Sequence, residues 1–86
     1  MPVISAFYGI IIRIYHSDHN PPHFHAQYGE FEVIIEIKTG KVINGKLPSR
    51  LLYFVDIWRK ENELQIFEAW ECAQNFKVPK KVKPLE

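Results

Sequence analysis

The sequence predicts an α+β fold: an antiparallel meander of three to four strands followed by two helices packed on one face, in the order ββββαα. Three observations lead there. The first half breaks into short β-branched and aromatic runs, the second half carries apolar residues at helical spacing, and 86 residues suffice for a single core. An apolar share of 47% against 24% charged residues is that of a packed globule and excludes a disordered chain.

The first strand is expected over residues 9–16, where three consecutive isoleucines precede Arg13, Ile14 and Tyr15, a run too short for a typical helix. Residues 17–22 follow as a loop, because Asp18 and Asn20 favour turns and two prolines in series remove two backbone donors. A second strand spans residues 23–28. Gly29 marks a bend, and Phe31, Val33, Ile35 and Ile37 then alternate with Glu32, Ile34, Glu36 and Lys38 in a half-buried third strand. Thr39 and Gly40 turn the chain into a short fourth strand over residues 41–45, paired with the third as a hairpin.

Pro48 and Ser49 open the first helix, whose stripe is Leu51, Leu52, Val55 and Trp58. Asn62 with Gln65 three residues later has the form of a capping box, which places a second helix over residues 63–75. The domain is thus residues 1–76, and residues 77–86 form an irregular basic tail in which Lys77, Lys80, Lys81 and Lys83 face only Glu86. In the first strand Ile11, Arg13 and Tyr15 share one side and Ile10, Ile12, Ile14 and His16 the other. Both sides are fairly apolar, so the outer one is a candidate surface for a partner or for self-association.

Several function classes drop out. Cys72, the single cysteine, supplies neither an internal disulfide nor a thiolate zinc cage, and late in a helix it reads as a small core residue. No run approaches the roughly 20 apolar residues of a membrane span, and the first residues lack the basic start of a signal peptide, so a cytoplasmic protein is expected. The helix pair invites comparison with a helix-turn-helix, but residues 63–75 hold three glutamates and no Lys or Arg, the wrong charge for a recognition helix.

All four histidines fall within ten residues, from His16 to His25. On a strand His23 and His25 project to one side while Phe24 points to the other, and His19 lies across the double-proline loop. Three uses stay open. His19, His23 and His25 can bind a divalent metal with one position left free, act as acid and base near neutral pH, or form a polar sheet face satisfied by backbone and Glu. Asp18 can orient one ring by accepting its second N–H. No His-Glu-x-x-His spacing supports the metal, and no serine or cysteine elbow supports a covalent nucleophile. Arg13 and Glu30 are further binding candidates on adjoining strands, either as an ion pair or with Arg13 holding a phosphate. In the tail Lys80 and Lys81 can contact RNA or an acidic partner.

The string from Asp18 to His25, followed by Tyr28 to Phe31, Gly45 to Pro48, the pair Trp70 and Glu71, and the closing Pro79 to Leu85, resembles the bacterial family called domain of unknown function 4160. Carried onto this chain, the family motif falls on Asp18, His19, Pro21, Pro22, His23, Phe24, His25, Tyr28, Gly29 and Glu30. His16 stands where the family more often has an aromatic residue. The family brings no established catalytic residues. Its members are commonly encoded beside small proteins of the domain of unknown function 2442 family, in the manner of a toxin and antitoxin. The resemblance therefore implies a prokaryotic protein with a small protein partner from the neighbouring gene; the apolar sheet face and the basic tail with the histidines add a homo-oligomer and RNA as candidate partners. It implies no cofactor beyond the metal left open above.

Overall fold

A computed structural model describes residues 3–16 and 19–86. Five strands form one antiparallel sheet in sequential order: β1 (Val3–Phe7), β2 (Ile10–Arg13), β3 (His23–Tyr28), β4 (Phe31–Glu36) and β5 (Val42–Lys46). Two helices follow, α1 (Ser49–Glu61) and α2 (Glu63–Gln74). The α+β class and the helix pair are as expected, but the meander has one strand more than the sequence suggested.

The additional strand is β1, and its turn explains why it was missed. Phe7 pairs with Ile10, so Tyr8 and Gly9 form a two-residue hairpin loop with φ of 51° and 78°. Such a loop is ordinarily signalled by Asn-Gly or Asp-Gly, because side chains other than these rarely adopt positive φ twice in succession. Here Tyr8 is held in place by rings, edge-on to Phe7 and 5.2 Å from Phe54 of α1 between centroids. Gly9 suits this position, since its φ of 78° strains any L side chain and a Cβ there would stand 3.0 Å from the Tyr28 ring. β2 correspondingly ends at Arg13, the last residue paired on both sides, with Val3 and His25.

The inner face of the sheet is Phe7, Ile10, Ile12, Phe24, Ala26, Val33 and Ile35, continued by Ile4, Ile14 and Ile37. Val55 and Trp58 of α1 and Ile66, Ala69, Trp70 and Ala73 of α2 close over it in one core. Trp58 is wholly buried, its ring 5.4 Å from Phe7 and 5.5 Å from Phe24. Its indole N–H donates to the Lys83 carbonyl at 2.8 Å. Residues 77–86 form no helix or strand, yet they are bound to the domain: the Val82 N–H donates to Ile4 at 2.6 Å, Val82 is buried, and Leu85 packs on the core. Nearby, the Ser5 hydroxyl is buried opposite Ile12 with no hydrogen-bond partner among the described residues.

The helix junction departs from expectation. Asn62 does not cap α2 with its side chain; its Nδ2 turns back and donates to the Trp58 carbonyl at the end of α1. With one residue between the helices, that carboxamide serves the orphan carbonyls behind it and no capping box forms. Arg59, one residue past the core tryptophan, is also buried. Its Nη1 donates to the Ile37 and Lys38 carbonyls and its Nε and Nη2 to Asp56, so the guanidinium ties α1 to the end of β4. Burial alone would raise the Asp56 pKa, but hydrogen bonds and charge from Arg59 and Lys60 outweigh it and hold the carboxyl below its ordinary 3.8.

Two consequences are measurable. Trp58→Phe removes the N–H that holds the tail and leaves a void beside Phe7 and Phe24, so urea denaturation should show a loss of about 2 kcal/mol or more. A carboxyl with a depressed folded pKa contributes stability in full above its unfolded value and loses it as pH falls through the folded one. Asp56→Asn should therefore lower the urea midpoint at neutral pH, and the gap from wild type should close below about pH 4. A gap that persists in acid would show that Asp56 acts by packing.

Candidate functional site: the outer sheet face

Both helices cover the same side of the sheet, which leaves the other side open. On it stand Ile11, Arg13, Tyr15, His25, Gln27 and Ile34, all half-buried. Alternation in the first strand separated Ile11, Arg13 and Tyr15 from the other side without deciding which was outer, and the helices settle it.

His25 occupies the centre of that face. It lies opposite Arg13 on β2 and Ile34 on β4, and its Nδ1 is 3.2 Å from a Glu32 carboxylate oxygen. Glu32 sits one diagonal step along β4, where cross-strand side chains reach one another. A carboxylate accepts, so the Nδ1 of His25 carries the proton and the ring is held in one tautomer. The Tyr15 ring meets His25 edge-on at 4.3 Å. Arg13 donates to the Gln27 side chain at 2.5 Å beside it.

His23 is on the same strand but in different surroundings. It is buried, its Nδ1 donates to the Pro21 carbonyl at 2.7 Å, and its ring lies 5.1 Å from Trp70 of α2 and 5.4 Å from His25. The double-proline loop thus supplies the acceptor that orients this ring. His19 is exposed and, with Asn20, Pro21, His23, His25, Ile34, Ile43 and Asn44, lines a groove of about 190 Å³. A neighbouring groove of about 320 Å³ is lined by His25, Glu32, Ile34, Asn44 and Gly45, so His25 borders both.

The structure brings together His19, His23, His25 and Arg13. Asp18 lies outside the described residues. Tyr28 packs over the β1–β2 turn, and Glu30 is exposed in the β3–β4 turn, away from the rings. Arg13 takes Gln27 as its partner and makes no ion pair with Glu30 among the described residues. Lys80 and Lys81 line a separate cleft of about 610 Å³ with Leu64, Phe67, Glu68 and Cys72 of α2. Cys72 is half-buried there. His16 turns to the helix side, its Nδ1 3.4 Å from the Ala73 carbonyl and its ring stacked on Phe76. Among the described residues, no group of three or more His, Cys, Asp or Glu side chains is placed to hold a metal ion.

Sequence reasoning missed Glu32, Tyr15 and Asn44. Register would have found the first: a two-residue loop at Gly29 and Glu30 pairs Tyr28 with Phe31, hence His25 with Ile34, and leaves Glu32 diagonal to His25. No helix among the described residues is long and apolar enough to cross a membrane.

In comparison with known proteins, the model of a family described as Domain of unknown function (DUF4160) matches residues 9–71. No curated protein and no solved structure matches the chain.

Proposed function

Since the chain belongs to the Domain of unknown function (DUF4160) family, we propose that it serves as the partner-binding half of a two-protein, toxin and antitoxin-like unit of the bacterial cytoplasm. The observation that carries this is the open outer sheet face. Ile11, Tyr15 and Ile34 are only half-buried there, and Ile43 is 44% exposed at its margin. Apolar side chains left uncovered on one face of a small domain, interleaved with polar ones, are the usual material of a protein interface. The partner is a small protein encoded beside it, the arrangement that the family resemblance implies.

The His25 and Glu32 contact favours a second function on the same face, cleavage of RNA. Such chemistry needs an acid, a base and a cation. In this reading His25, oriented by Glu32, would act as the base, with His23 as the neighbouring imidazole and Arg13 as the cation.

Size-exclusion chromatography with light scattering should show a stable complex with the product of the adjacent gene. A monomer that ignores that product overturns the partner function. For the second, expression of the wild type in a bacterium should slow growth and degrade RNA, and His23→Ala/His25→Ala should abolish both effects. Equal growth with intact RNA in both strains would leave the rings without a catalytic role.

A further inference from the structure

We propose that the free edge of β5 is the docking strand of this protein and that it takes an extended, acidic segment of the partner as a sixth strand of the sheet. The proposal rests on the partner-binding function above and names where and what it binds.

The two edges of the sheet are finished differently. Along β1 the tail is laid down, with Val82 donating to Ile4 and its side chain buried. At the opposite edge every residue of β5 is exposed. An uncovered edge presents unpaired N–H and C=O groups, a ready template for one more strand.

Charge selects the occupant. From Lys38 to Lys46 the hairpin carries Lys38, Lys41 and Lys46 and no acidic residue. The nearest carboxylates on β4 are engaged, Glu32 with His25 and Glu36 with Thr39. A second copy of this chain would set three lysines against three, and lysine on an edge is a common device against self-pairing. An acidic strand meets the opposite situation. Shape adds a further constraint, because β5 is bulged: Ile34 pairs with Asn44 but Ile35 with Val42, leaving Ile43 as the extra residue. Gly45 at φ 79° holds the kink, since a Cβ there would lie 2.1 Å from the Glu32 carbonyl oxygen. The bulge limits added pairing to a short segment, and it brings Ile43 and Asn44 to the grooves beside His25, where an alternating side chain of the incoming strand can seat.

The test uses the full chain, ¹⁵N-labelled, titrated with two synthetic peptides of alternating Val-Glu and Val-Lys. The Val-Glu peptide should shift the Val42 to Lys46 amides, slow their hydrogen exchange and bind at least about tenfold tighter than the Val-Lys peptide. Ile43→Pro should abolish its binding, and Lys41→Glu/Lys46→Glu should reverse the preference while leaving the fold intact. Equal binding of both peptides, no binding of either, shifts confined to other strands, or dimerisation through β5 would each overturn the proposal. A complex with the adjacent gene's product that tolerates both variants would overturn the edge and spare the partner function. Peptide binding at β5 without any such complex would do the reverse.

Discussion

The Trp58 indole must satisfy two demands at once: a large apolar ring has to leave water, and its N–H has to keep a partner when it does. The ring is buried between Phe7 of β1 and Phe24 of β3, and the N–H finds the Lys83 carbonyl in the tail. One side chain therefore sets the position of α1 against the sheet and draws in a segment with no secondary structure of its own. Because the tail is held there, Val82 reaches Ile4 and closes the β1 edge. Next to it, Arg59 ties the same helix to the carbonyls after β4. The helix is pinned near both edges of the sheet, and both helices are thereby kept on one side of it.

From that placement follows the distribution of everything polar. Ser5 apart, the inner face is apolar from Ile4 to Ile37, while Arg13, His25, Gln27 and Glu32 share the outer one. A histidine pair on a strand becomes a pair of unlike groups. His23 is oriented by the Pro21 carbonyl and buried against Trp70, and His25 is oriented by a carboxylate and borders two open grooves. The double-proline loop that separates His19 from His23 matters here as a rigid acceptor as much as a turn.

Much of this was legible in the residues. Alternation located β3 to within a residue, the Leu51 to Trp58 stripe located α1, and the histidine segment located the face that carries the candidate site. What escaped depended on contacts that single-strand patterns do not encode. β1 was hidden by a Tyr-Gly turn in which the rings of Phe7 and Phe54 flank Tyr8. The tail reads as solvated from its lysines, and its attachment lies in a backbone carbonyl and in Val82, which carry no compositional signal. Asn62 and Gln65 have capping-box spacing, but with α1 ending one residue earlier the side chain has a nearer acceptor behind it. Glu32 was the exception, a site residue that the hairpin register alone would have exposed.

The two functions proposed for the outer face would be linked by geometry. Ile43 and Asn44 line the groove that also holds His19, His23 and His25, and Asn44 and Gly45 line the one that holds His25 and Glu32. A strand added at β5 would pass beside both grooves and place alternate side chains over the oriented imidazoles. Occupancy of the edge and access of a phosphodiester to His25 would then compete for the same surface, with no conformational change needed to couple them. Coupling of this kind is local and steric, and its strength is set by how tightly the acidic strand is held. The lysines of the hairpin would thus govern both the choice of partner and the exposure of the rings.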